Sequence, residues 1–149
     1  MLKAREIRVS YYPKTGEKAL VKSSLEAFEV IWSYFPKETI SLQERFIVLY
    51  LNKANRVIGV YPLSVGGISE VTADIKLIFG VALKCAACSI ILAHNHPSGN
   101  LQPSKQDVAL TRNISEVGKM LSLQVLDHII VSPEGKYVSI VDEGYKWFI

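Results

Sequence analysis

The chain has 149 residues, of which 49% are hydrophobic and 21% charged, a balance that suits one folded domain with a substantial core and excludes a disordered chain. Its net charge of +3 is too modest to call for nucleic acid. The excess clusters loosely at Lys3, Arg5, Arg8, Lys14, Lys18 and Lys22, where a solvated positive face is the simpler account. There is no apolar run of about 18 residues, the length a membrane helix needs. The opening MLKAREIRVS lacks the apolar stretch of a signal peptide, so the cytoplasm is the expected location. Cys85 and Cys88 are too few for a secreted disulfide scaffold.

Residues 1–22 read as an N-terminal arm, irregular or edge-strand in character, carrying Ile7, Val9, Tyr11 and Tyr12. Ser23 and Glu26 have capping-box spacing and open a helix. Leu25, Phe28, Ile31, Trp32 and Phe35 form its apolar stripe, and Pro36 stops it. Leu42 to Leu51 is an extended segment rich in branched and aromatic residues. Asn52 to Asn55 reads as a hairpin turn and Val57 to Leu63 as the returning strand. After Gly66-Gly67 a second helix is expected from about Thr72 to Ala86, with Ile75, Ile78, Phe79, Ala82 and Leu83 inward.

Ser89 to His94 is short and continuously apolar, as in a strand at the centre of a sheet. A loop with Pro97, Gly99 and Pro103 leads to a third helix beginning at Ser104, whose Val108, Thr111, Ile114, Val117 and Leu121 share a face. Leu123 to Ser132 and Tyr137 to Val141 are further strands, followed by an apolar end, Trp147-Phe148-Ile149, that packs on the core or on a second subunit. No repeat or linker divides the chain, so residues 1–149 are expected to form a single α/β domain with a mixed sheet flanked by helices.

The chemistry concentrates at His94-Asn95-His96-Pro97 and the helix start that follows. Side chains alternate along a strand, so His94 and His96 project from the same side as Ile90 and Leu92. That face turns from apolar to polar at the strand's C-terminal end, where open α/β sheets place their ligand sites. Ser104 and Asp107 read first as an N-cap and its partner near the positive end of the helix dipole. With the histidines 11 and 13 residues upstream, the same carboxylate can also close a metal site. Two His and one carboxylate with a position left for water is a common way to hold catalytic zinc.

Glu44 stands at the start of a strand face that continues with Phe46, Val48 and Tyr50. Read by itself it is a solvated strand start or an ion-pair partner of Arg45 or Lys37; near a metal it becomes a candidate general base. Cys85-Ala86-Ala87-Cys88 precedes the histidines by roughly 20 Å of extended chain, so these thiols are expected to be small buried core residues rather than ligands. The letters His-Asn-His do not signal an HNH nuclease, whose name refers to dispersed residues. Asp127-His128 reads as structural in its strand, with a supporting role beside metal-bound histidines as the alternative.

The pattern Glu44 … His94-x-His96-Pro97-x6-Ser104-x2-Asp107 resembles the JAMM motif of JAB/MPN+ metalloproteases. The flanking AHNHPSG, PSKQDVALT, LDHIIVS, LYLNKANRVIG and YVSIVDEG resemble its RadC branch more narrowly, over most of the chain from about Ser23 onward. The resemblance implies a three-layer fold similar to cytidine deaminases. It implies one zinc per chain held by His94, His96 and Asp107 with water as fourth ligand, Glu44 as the proton-transferring base, and Ser104 as hydrogen-bond donor to the oxyanion. The implied reaction is hydrolysis of a peptide or isopeptide bond in a peptide or protein substrate. Deubiquitinating relatives commonly carry Ser or Thr where this chain has Asn95, which argues against ubiquitin-like substrates. The helix-hairpin-helix region of longer RadC proteins is not in this sequence, which weakens the competing expectation of a DNA-repair accessory that binds nucleic acid or a repair partner. Deaminase chemistry needs Cys-x-x-Cys after the histidine motif and a Glu within it, and neither is here.

Overall fold

A computed structural model describes residues 2–66 and 73–145. The expected helix start at Thr72 and the apolar end Trp147-Phe148-Ile149 lie outside these residues. Helix α1 spans Ser24–Trp32, strand β1 Arg45–Leu51, β2 Val57–Val65, helix α2 Ile75–Lys84, β3 Ser89–Asn95, helix α3 Lys105–Met120, β4 Gln124–Val131 and β5 Tyr137–Ser139. The strands form one five-stranded mixed sheet in the order β2-β1-β3-β4-β5. Every neighbouring pair is antiparallel except β3 and β4. The expected α/β architecture is therefore observed. No helix among the described residues is long and apolar enough to cross a membrane.

Alternation along the strands sorts the core into two layers, one on each face of the sheet. Phe46, Val48, Tyr50, Ile90, Leu92 and Ile130 meet Ile78, Phe79 and Ala82 of α2 and Ile114 of α3. On the other face Ile47, Leu49, Ile91, Ala93, Ile129 and Val131 meet Ala27 and Ile31 of α1. The sheet centre is buried on both sides, which is why β3 reads as an unbroken apolar run.

The local signals mostly translate into structure. Ser23 caps α1 by accepting from the Glu26 N–H. The Asn52 side chain accepts from the N–H groups of Ala54 and Arg56, closing the β1–β2 hairpin. The arm meets the sheet at its end, where Leu20 bridges Arg56, and at Tyr11, whose hydroxyl donates to the Ile58 carbonyl, while Ile7 and Tyr12 are exposed. Three inward assignments fail. Leu25, Leu83 and Leu121 are all exposed, each at or next to a helix end. Helix α1 ends at Trp32, before Pro36, and the extended segment begins at Arg45 rather than Leu42, since 37–42 is spent in turns.

Gly118 sets how α3 joins β4. A Cβ there would lie 2.3 Å from the Leu123 carbonyl oxygen, so only glycine lets the chain double back this tightly and start β4 directly beneath the helix.

Candidate metal centre

The β3 strand delivers His94 and His96, and α3 delivers Asp107. His94 leaves the apolar face of β3 and is 2% exposed. After His96 the chain turns through Pro97, Ser98 and Gly99; Gly99 has φ +83° and its N–H donates to the His96 carbonyl at 3.0 Å. Gln102 and Asn100 tighten the rest of the loop, the Asn100 side chain accepting from the Gln102 N–H at 3.0 Å. The path brings Ser104 back over the strand end as the N-cap of α3.

The capping box is real: the Asp107 N–H donates to Ser104 Oγ at 3.0 Å and the Ser104 N–H donates to Asp107 Oδ2 at 2.8 Å. The capping and ligand readings of these residues are therefore compatible. Asp107 Oδ1 lies 3.2 Å from His94 Nε2, and Asp107 Oδ2 lies 3.2 Å from His96 Nε2. The two Nε2 atoms are 3.0 Å apart. These are the three residues among those described whose donor atoms cluster closely enough to hold a metal ion.

The donor set fits zinc. Two imidazole nitrogens and a carboxylate match its catalytic ligand chemistry, and bonds of about 2.0–2.1 Å place the corners of a tetrahedron roughly 3.3 Å apart. Here the two imidazole nitrogens are 3.0 Å apart and each lies 3.2 Å from a different Asp107 oxygen; with one donor atom per residue, all three lie within 4.8 Å of one another. Electrostatics reinforces the fit. Burial pushes the Asp107 carboxyl up, but the adjacent His94 and His96 rings outweigh it and hold Asp107 ionised well below the usual carboxylate range. Burial pulls His96 down, and the Asp107 hydrogen bond, the Asn100 carbonyl and the negative charges of Asp107 and Glu44 raise it above its ordinary value.

Glu44 immediately precedes β1 and is half-buried. Because β1 runs antiparallel to β3, with Phe46 opposite His94, the start of β1 lies beside the end of β3. Glu44 accordingly shares an open cleft of about 330 Å³ with His96, Pro97, Ser98, Asn100, Gln102 and Ser104. All five site residues expected from the sequence are thus at one end of the sheet.

Asn95 and Thr111 were not expected in the roles they have, and His128 takes the supporting place that was the alternative reading. Asn95 points away from its flanking histidines and is completely buried. Its Nδ2 donates to the carbonyls of Ile40 and Gln43 at 2.8 and 2.9 Å, and its Oδ1 accepts from the Arg45 N–H at 2.7 Å. It clasps the segment that carries Glu44. The Asp127-His128 pair divides by strand alternation. Asp127 faces away and ties β4 to β5, accepting from Ser139 Oγ at 2.6 Å and from the N–H of Val141 at 3.2 Å, whereas His128 Nε2 lies 2.7 Å from His94 Nδ1. Thr111 on α3 meets His128 from above, its Oγ1 at 2.6 Å from His128 Nδ1. The alternation of β4 was the signal for this split, since His128 shares its face with Ile130.

The thiols are placed differently from expectation. Cys88 is exposed and Cys85 half-buried, because Ala86, with φ 54°, turns the chain outward between α2 and β3. Cys85 Sγ–H donates to the Ala82 carbonyl, and neither thiol belongs to the metal cluster.

Comparison with known proteins agrees with this arrangement. A family model described as the RadC-like JAB domain matches residues 21–145. A protein of Porphyromonas gingivalis named UPF0758 is 44% identical over 102 residues, covering 68% of this chain and 45% of the relative. The corresponding Flavobacterium johnsoniae protein is 46% identical over 101 residues, covering 68% and 44%. One from Caldanaerobacter subterraneus is 31% identical over 154 residues, covering 97% and 64%. The chain spans about half the length of the first two of these relatives. With the match covering the whole sheet and every residue of the metal cluster, the chain belongs to the RadC-like JAB domain family.

Proposed function

We propose that this domain is a zinc-dependent hydrolase of amide bonds in a peptide or protein, with one zinc held by His94, His96 and Asp107. The observation that carries this reading is the convergence of two imidazole nitrogens 3.0 Å apart with a carboxylate that places one oxygen 3.2 Å from each. His96 Nδ1 is 2.5 Å from the Asn100 carbonyl oxygen, which only accepts, so Nδ1 carries the hydrogen and Nε2 turns a lone pair inward. Donors so arranged repel one another unless they share a cation.

Zinc in such a site acts as a Lewis acid and lowers the pKa of its water to about 7. The chain's own residues do the rest. Glu44, on the cleft wall facing His96, is the group to take a proton and return it to the leaving amine. Ser104 uses an oxygen lone pair for capping, which leaves its O–H to donate to the carbonyl oxygen as negative charge develops there. Ser98, Asn100 and Gln102 offer hydrogen-bonding groups along the open cleft, suited to an extended polar chain rather than an apolar small molecule.

The test is hydrolysis of a degenerate peptide library by zinc-loaded protein and by its Glu44→Gln variant, with zinc content measured on both. Cleavage by the parent and a loss of at least about 100-fold in the variant, at unchanged zinc, is expected. Undiminished turnover by Glu44→Gln sinks the assigned base; failure of the parent to retain zinc sinks the metal centre.

A further inference from the structure

We propose that His128 and Thr111 are positioning residues that lock the imidazole of His94 with its hydrogen on Nδ1 and its lone pair on Nε2, facing Asp107 and His96. The functional meaning of this relay rests on the metal reading above; its geometry does not.

The direction of every hydrogen bond follows from one carbonyl. Thr111 Oγ1 lies 2.6 Å from the Asp107 backbone oxygen, which only accepts. The single hydroxyl hydrogen of Thr111 is therefore committed there. Thr111 Oγ1 also lies 2.6 Å from His128 Nδ1, and with its own hydrogen used it must accept. His128 then carries its hydrogen on Nδ1 and presents a bare Nε2. That Nε2 is 2.7 Å from His94 Nδ1, so His94 donates from Nδ1. What remains on the far side of the His94 ring is Nε2, 3.2 Å from Asp107 Oδ1.

The relay works because it is dry and neutral. Thr111 and His128 are both 0% exposed. Enclosed between one partner that must accept from it and one that donates to it, the His128 ring keeps a single N–H and one acceptor nitrogen. Phe46 stacks parallel to His94, with 5.9 Å between ring centroids and 5° between planes, and meets His128 edge-on at 5.5 Å. The rings have little room to turn. A neutral imidazole in water prefers its hydrogen on Nε2, which would block coordination through that atom; the relay reverses the preference. It also joins the ligands, since the carbonyl that starts it belongs to Asp107. The helix turn bearing the carboxylate and the ring bearing the nitrogen are set by the same hydroxyl.

The experiment is long-range proton–nitrogen correlation spectroscopy of the nitrogen-15-labelled, metal-free full chain at mildly alkaline pH, joined to zinc titration. The expected spectrum shows His94 and His128 both with a protonated Nδ1 and a bare Nε2. Thr111→Val, nearly the same shape without the hydroxyl, is expected to shift both rings toward mixed tautomers and to weaken zinc binding by about tenfold. Thr111→Ser is expected to restore both readouts, which a purely space-filling role would not explain. A parent protein with His94 protonated at Nε2 overturns the proposal, as does a Thr111→Val variant that shifts neither tautomer nor affinity. The expected tautomers together with no zinc binding would support the relay and overturn the metal centre, so the two readings fail separately.

Discussion

Strand β3 carries reactive residues at both ends, and only one end assembles them. Before it lie Cys85 and Cys88, one half-buried and one exposed, turned apart by Ala86. After it lie His94 and His96, met by Asp107 from α3. Both ends bear ligand-type side chains at close sequence spacing. The difference is a second element aimed at the first: the loop through Pro97 and Gly99 returns the chain over the histidines, while among the described residues no third ligand-type side chain joins the thiols. Convergence, more than the presence of ligand-type residues, makes a site.

That contrast is most directly broken by mutation at each end. His94→Ala or Asp107→Ala is expected to remove stoichiometric zinc, whereas the Cys85→Ala, Cys88→Ala double variant keeps about one zinc per chain; metal analysis of the purified proteins decides, and zinc lost with the cysteines would sink the contrast. Next in size is Asn95→Ala. It strands two carbonyls and one N–H in a buried setting, and a cost of about 3 kcal/mol is expected in denaturant unfolding. A loss under about 0.5 kcal/mol, the scale of surface changes, would show that the clasp contributes nothing.

The pH dependence follows with its sign fixed by His96. Its pKa lies above the ordinary value, so the proton competes with zinc at a higher pH than a free histidine would allow. Zinc affinity is expected to start falling above about pH 6.5 and to drop about tenfold per pH unit below that point, with Asp107 ionised throughout. A competition titration showing no fall as pH is lowered through this window would contradict it. The smallest effect belongs to the thiol end. Ala86 holds φ 54°, a left-handed conformation costing roughly 1–2 kcal/mol for a residue with a Cβ. Ala86→Gly relieves it against an entropy cost of about 0.5–1 kcal/mol, so a net gain below about 1 kcal/mol is expected, read as a small rise in Tm without any change in zinc. A fall in Tm would show that the turn prefers alanine.

What the sequence disclosed, and what it hid, divides along physical lines. The elements were legible because periodicity and caps are local: Ser23 and Ser104 start their helices, and Asn52 closes its hairpin. The cluster of His94, His96 and Asp107 was legible because strand alternation and a short loop constrain it. Leu25, Leu83 and Leu121 misled because apolar periodicity runs on to the helix ends, where these side chains are exposed. Cys88 misled because a positive φ at Ala86 has no marker in an alanine. Asn95 and Thr111 were hidden, and His128 left between two readings, for a third reason: their partners lie 50, 17 and 34 residues away, and only the folded register brings them together.

The clasp made by Asn95 has a consequence for how this domain can vary. Glu44 and the histidines are joined through side-chain bonds between neighbouring strands, so their spacing is indifferent to the route the backbone takes between β1 and β3. Chain length there can drift, and segments can be inserted, without disturbing that spacing. The interior of the cleft and its surroundings are, in that sense, separately editable.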